Sequence, residues 1–282
     1  MNANYLAQEH AANVHSQHGE DGVLRKILEV LPEHDRWCVE FGAWDGRHLS
    51  NTYRLIDEEG YRAVLIEGNR KRFQQLEELK EKHPAIIPVH CFVDTGANRL
   101  DAILQRTEIP RDFDVLSIDI DGNDYHIWES LQAYQPKVVC IEFNPSVPNH
   151  LPFVQENNPT INQGASLLSL FNLGRDKGYE LVAVTQGNGI FVREQDFARF
   201  EITDNTVERM RPDPAQVTYL FHGYDGHVFL RGGRRLLWHN LELRERDVQL
   251  LPRWLQRHPG NMDRVQKTLF RLVRFLRRLR IL

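Results

Sequence analysis

Polar residues alternate with apolar ones along 117–121, where Ser117 and the acids Asp119 and Asp121 flank Ile118 and Ile120. Side chains two apart on a strand share a face, so these three are expected to point one way near a strand's end. Glu142 and Asn144 repeat that spacing at the end of another apolar run. Three carboxylates and an amide carbonyl are hard oxygen ligands, suited to Mg²⁺ or another divalent cation. Such an ion lowers the pKa of a bound hydroxyl and fixes its oxygen for attack. Without an ion, one of the acids, or His126 or His150, is the candidate general base. The structural alternative is that Asp121 and Asp124 cap a helix starting near Asn123, because helix N-termini favour acids. Asp119 and Glu142 fit that alternative less well, since both lie within apolar runs where an uncompensated carboxylate is costly.

The elements that must hold these groups follow from hydropathy patterning. Short apolar runs at 37–41, 62–67, 86–93, 114–120 and 137–143 read as strands. Between them lie a glycine-rich turn with a helix to about residue 59, a charged surface helix at 70–82, a short helix at 100–106 and another at 124–133. Strands alternating with helices imply a parallel sheet covered on both faces. A helix is expected at 21–31, ahead of the first strand. Segment 144–164 holds four prolines and five asparagines with no helical period; connections this long are usually functional or mobile. A helix at 166–177 follows, then strands at 179–185 and 190–193 around Gly187-Asn188-Gly189. These form an antiparallel hairpin closing the sheet. Residues 195–252 mix charges and prolines without a readable architecture.

A second constellation sits where the first strand meets its helix, in Glu40-Phe41-Gly42-Ala43-Trp44-Asp45-Gly46. Ligands of such sheets bind beyond the carboxyl ends of the strands, and glycine lets the backbone approach them closely. The spacing is neither the dinucleotide Gly-x-Gly-x-x-Gly nor a P-loop. Glu67 ends the second strand, where a carboxylate can accept both ribose hydroxyls of an adenosyl group. Asp94, closing the third, is placed to take the adenine amine. Gln17, Glu20 and Asp21 either cover the ligand or cap the following helix.

This arrangement resembles the class I S-adenosylmethionine-dependent methyltransferases. Four motifs in order sharpen it: Ser16-Gln17-His18-Gly19-Glu20-Asp21-Gly22, Val39-Glu40-Phe41-Gly42, Ser117-Ile118-Asp119-Ile120-Asp121-Gly122 and Ile141-Glu142-Phe143-Asn144. Over about residues 14–195 the series is similar to the FkbM-type methyltransferase group. The resemblance implies a Rossmann-like, mostly parallel seven-stranded sheet with an antiparallel terminal hairpin. It also implies S-adenosyl-L-methionine as cofactor and a hydroxyl of a saccharide, glycan or related small molecule as acceptor. Many members have glutamate where this chain has Asp121, which changes the reach of any ligand there. The expected cofactor contacts are Gln17, Glu40, Gly42, Trp44, Asp45, Gly46, Glu67, Asp94 and Asp119. Rival readings are a catalytically silent cofactor-binding assembly subunit and an N-methyltransferase of a peptide or amine.

Composition sets outer bounds. With 41% apolar and 26% charged residues the chain is ordinary for a globular protein. No apolar run is long enough for a transmembrane helix, and the N-terminus lacks the basic start and apolar stretch of a secretory signal. Cys38, Cys91 and Cys140 fall in apolar runs, and free buried thiols suit a reducing cytoplasm. The net charge of −4 hides an asymmetry: from 253 to 282 nine Lys or Arg face one acid, leaving 26 basic and 38 acidic residues elsewhere. An acidic body is a poor nucleic-acid binder. Residues 262–282 read as an amphipathic helix with an apolar stripe beside a basic one. Such helices lie on anionic membrane surfaces, and this one is expected to hold the enzyme to the inner face of a membrane, near a lipid-linked glycan. The alternative is docking on protein. The expected division is a catalytic domain at 1–195, an unassigned extension packed on it at 196–261, and the helix at 262–282.

Overall fold

The central element is a seven-stranded sheet in the order β3-β2-β1-β4-β5-β7-β6. We describe it from a computed structural model, which covers residues 3–212 and 214–279. Strands β1 (Trp37–Phe41), β2 (Arg62–Glu67), β3 (Ile86–His90), β4 (Val115–Ile118) and β5 (Val138–Glu142) run parallel. β6 (Tyr179–Val184) and β7 (Asn188–Arg193) form a hairpin whose second strand pairs antiparallel with β5. β1 and β4 are buried along their whole length, as strands between two helical layers must be. The fold is Rossmann-like α/β, with the reversed strand at the expected place.

Helices α1 (Tyr5–His10), α2 (Glu20–Val30), α3 (Tyr53–Glu59), α4 (Arg70–Lys82), α5 (Leu100–Leu104), α6 (Asp124–Ser130) and α7 (Leu167–Asp176) accompany the sheet. Alternate strand residues feed two cores. One holds Val39, Phe41, Ile118, Trp128 and Phe191, and the other Cys38, Leu65, Val138 and the α2 residues Val23, Leu24 and Ile27. Cys38 and Cys140 are buried, while Cys91 is half-buried because β3 stops before it.

Two strands end earlier than their apolar runs suggest: β3 at His90 rather than near residue 93, and β4 at Ile118 rather than near residue 120. β4 stops at Ile118, because the Asp124 carboxylate accepts the amides of Ile120 (2.9 Å) and Gly122 (2.8 Å). Asp121 then turns into the left-handed region at φ 57°, a conformation aspartate tolerates and strands lack. The hairpin turn is tighter than expected: Asn188 and Gly189 already belong to β7, opposite Glu142 and Ile141.

The chain divides into two compact units, residues 1–213 and 214–282. The first includes two short helices beyond the hairpin, α8 (Glu194–Phe197) and α9 (Val207–Met210). The second contains the antiparallel hairpin β8 (Thr218–His222) and β9 (Val228–Gly232), the short pair β10 (Arg235–Leu236) and β11 (Leu241–Glu242), and α10 (Arg264–Arg278). α10 begins with a full capping box between Asp263 and Gln266. Among the described residues no helix is long and apolar enough to cross a membrane.

Candidate active site

The strand order reverses between β1 and β4, so a crevice opens beyond their carboxyl ends. Gly42 follows β1 at φ 74°, and a Cβ there would stand 2.0 Å from the Asp119 carbonyl oxygen. The close approach of the two strand ends therefore requires glycine. Trp44 takes φ 52° and donates its amide to Glu67 Oε2 at 2.9 Å. Glu67 Oε1 accepts the Asn69 amide at 2.6 Å. Glu67 is 5% exposed and ties the β1 turn to the end of β2. Each of its oxygens keeps a lone pair after these bonds.

Other expected cofactor contacts are engaged locally. The Glu40 carboxylate turns onto the loop before α3, accepting Ser50 Oγ (2.5 Å), Thr52 Oγ1 (2.6 Å) and the Asn51 amide (2.9 Å). Burial raises its pKa while these donors oppose the rise. Asp45 Oδ1 closes a turn by accepting the amides of Arg47 and His48. Asp94 lies past the end of β3, its Oδ1 bound to the amides of Gly96 and Asn98. Gln17 is exposed. Glu20 and Asp21 act as ties at the start of α2: Asp21 Oδ2 accepts the amides of Val14, His15 and Ser16, and Glu20 bonds Thr185 Oγ1, Asn188 Nδ2 and the His18 amide. These carboxylates hold loops because each accepts turn amides that have no strand or helix partner.

The acidic cluster forms at the ends of β4 and β5. Ile118 pairs with Ile141, so Asp119 and Glu142 follow side by side. The Asp121 amide donates to Glu142 Oε2 at 3.2 Å. Burial, followed by the charges of Asp119, Asp124 and Asp121, pushes Glu142 up to about 10. Asp119 is raised well above the usual carboxylate range by burial and then by Asp124, Asp121, Glu40 and Glu20. Asp124 reaches about 6 through burial, with the amides of Ile120 and Gly122 holding it down. Asp124 is the acid that closes the α6 entry. Asp121, left-handed and exposed, departs from the strand alternation expected of it.

Among the described residues, no group of three or more His, Cys, Asp or Glu side chains stands together as a metal-holding set. Asn144, expected as a ligand, has its Oδ1 bound to Ser146 N and Oγ at 3.0 and 2.6 Å. His126 places Nε2 2.9 Å from the Gln155 carbonyl oxygen, and His150 is exposed in the long connection.

That connection is fastened over the cluster. Gln155, 3% exposed, donates Nε2 to Asn123 Oδ1 (2.7 Å) and to the Ile161 carbonyl (2.8 Å). Its Oε1 accepts the amides of Gln163 and Gly164, and Asn162 Nδ2 reaches the Asp121 carbonyl at 2.9 Å. Gln155 carried no sequence signal, because its side-chain bonds join residues that only the folded loop brings together. Phe92 was also missed: its ring lies over Gly68, where a Cβ would come within 2.3 Å, and is 73% exposed beyond β3. Trp44, 39% exposed, stacks under the Arg72 guanidinium at 3.8 Å.

No protein-family model and no curated protein matches the chain. Among solved structures it aligns with the N-terminal domain of EvdMO1 crystallised in the presence of SAH and D-fucose (TM-score 0.41, 12% identity, 62% of this chain and 82% of that one). It also aligns with the CcbJ methyltransferase from Streptomyces caelestis (TM-score 0.37, 11% identity, 68% and 97%). A SAM-dependent methyltransferase from Aquifex aeolicus gives TM-score 0.36 and 11% identity over 60% and 88%. Likenesses this distant carry no argument about ligand or chemistry.

Proposed function

We propose that the chain is an S-adenosylmethionine-dependent O-methyltransferase whose acceptor is a hydroxyl of a saccharide, glycan or related small molecule. The observation that carries the cofactor assignment is the Glu67 carboxylate, buried at the end of β2 and bonded to the turn after β1. Its remaining lone pairs suit vicinal hydroxyls of a ribose, and the exposed ring of Phe92 one strand away suits a flat base. The donor chemistry also fits the cofactor's charge: a cluster of carboxyls with raised pKa is relieved by a nearby cation. When bound, S-adenosylmethionine supplies an electrophilic methyl group on a positively charged sulfur.

The residues of this chain then bind, orient and take a proton. The 144–164 connection, fastened to Asp121 and Asn123, borders the acidic cluster. Burial and the neighbouring acids raise both Asp119 and Glu142, and a carboxylate so raised is, when ionised, a stronger base than an ordinary one. It accepts the proton of the acceptor hydroxyl, leaving oxygen to attack. The choice of oxygen rests on this acidic pair, and the saccharide class rests on the motif resemblance. Calorimetry with S-adenosylhomocysteine and NAD tests the cofactor: tight binding of the first alone is expected, and comparable affinity for NAD would overturn it. Product mass after incubation with glycans, amines and peptides, with and without chelator, separates O- from N-transfer, metal-assisted from metal-free chemistry, and turnover from silent binding.

A further inference from the structure

α10 has no buried residue over its 15-residue length. Successive helical residues turn by about 100°, which sorts its side chains into three strips. Leu269, Phe270, Val273 and Leu276 are half-buried. Val265 and Leu272, with Leu279 at the C-cap, recur every seventh residue and are 67%, 50% and 52% exposed, with Phe275 beside them at 57%. Arg264, Arg271 and Arg278 recur at the same interval on the adjoining side, joined by Lys267 and Arg274, and all five are exposed. The helix therefore shows solvent an apolar strip edged along its whole length by positive charge.

We propose that this face docks on an anionic lipid bilayer, apolar strip inserted and basic strip at the headgroups. Charge decides for lipid over an apolar partner of another kind. Residues 214–282 carry 14 Lys and Arg against five Asp and Glu, so the whole unit is drawn to a negative surface. An apolar strip bordered by arginine matches the order of materials met on entering such a bilayer, headgroup phosphate first and acyl chain next. The same unit exposes Tyr219, Tyr224, Trp238 and Trp254, residue types favoured at membrane interfaces. The proposal is independent of the methyl-transfer reading, since no α10 residue belongs to the candidate site.

The test is co-sedimentation of the full chain with vesicles of phosphatidylcholine alone and of phosphatidylcholine with phosphatidylglycerol. Sedimentation with the anionic vesicles, weakening as salt rises, is expected. The triple variant Arg271→Gln/Arg274→Gln/Arg278→Gln should lose roughly 100-fold in partitioning, about fivefold per side chain. Leu272→Ser/Phe275→Ser should lose at least about tenfold through the missing apolar insertion. Because none of these side chains is buried, S-adenosylhomocysteine affinity should stay unchanged in both variants. Equal partitioning into neutral and anionic vesicles, or full partitioning of the arginine variant, overturns the proposal. So does a concentration-dependent oligomer in light scattering without vesicles that Leu272→Ser/Phe275→Ser abolishes, for then a second copy covers this face.

Discussion

The two units of this chain are built from opposite materials. Residues 1–213 carry 34 acidic and 21 basic residues around two extensive apolar cores. Residues 214–282 carry 14 basic and five acidic residues, and among the described residues their buried apolar side chains are Val217, Val228, Leu230, Leu255 and Met262. A unit of that size with so small a core gains little from burial, and its large apolar side chains lie mostly outside. The first unit uses apolar surface to stabilise a scaffold that holds strained carboxyls, whereas the second displays apolar surface next to positive charge. The proposed methyl transfer and the proposed lipid docking draw on residues of different units, so substitutions in one unit should leave the readout of the other intact.

The largest effect that would break this separation is expected at the acidic cluster. Asp119→Asn and Glu142→Gln should each lower methyl transfer by about 10²–10⁴-fold, with vesicle binding unchanged. Full activity of both variants would remove the cluster from the mechanism. The same substitutions should stabilise the ligand-free fold by on the order of 1 kcal/mol, because each removes a buried group whose ionisation is opposed. A melting temperature that falls in both would mean the carboxylates hold the structure together instead.

Gly42→Ala should follow in size. Its Cβ would collide with the Asp119 carbonyl and its φ of 74° disfavours any side chain, so a loss of about 2–4 kcal/mol is expected in denaturant unfolding. Glu67→Ala should weaken S-adenosylhomocysteine binding by about 1–3 kcal/mol, seen by calorimetry, again without touching vesicle partitioning.

A pH dependence is expected beside these effects. Asp124 is raised to about 6 and Glu142 to about 10 in the folded state, so between the ordinary carboxyl range near 4 and these values the native state binds more protons than the unfolded one. Stability contributed by these groups is complete in acid and declines as pH rises through that interval. Unfolding followed from pH 5 to 8 should show this decline in the wild type and a shallower one in Glu142→Gln. An identical slope would leave Glu142 outside the linkage.

Much of the scaffold was legible because periodicity reports burial. The alternation of apolar runs and amphipathic segments located β1 to β7 and the helices between them, and Glu67 and Gly42 stood out as an acid and a glycine at strand ends. Boundaries were less legible. By spacing Asp121 was expected to share a face with Asp119 at the strand's end, yet Asp124 draws the amides of Ile120 and Gly122 and bends the chain before it. Spacing cannot reveal a hydrogen bond that competes with the strand.

Roles within the site show the same limit. Glu40, Asp45, Asp94 and Asn144 have the right residue types at the right strand ends, but each carboxylate or amide is turned onto its own loop. Gln155 and Phe92 gave no signal, since their significance depends on contacts with residues distant in sequence or on a ring laid over a glycine. In the second unit, composition foretold the basic amphipathic helix, while the β8–β9 hairpin escaped a reading of mixed charges and prolines. Local sequence determined which segments become strands and helices, where glycine is indispensable and where charge accumulates. Tertiary structure alone decided which acids keep free lone pairs and which are consumed as ties, because a buried polar atom bonds to whatever the fold brings within reach.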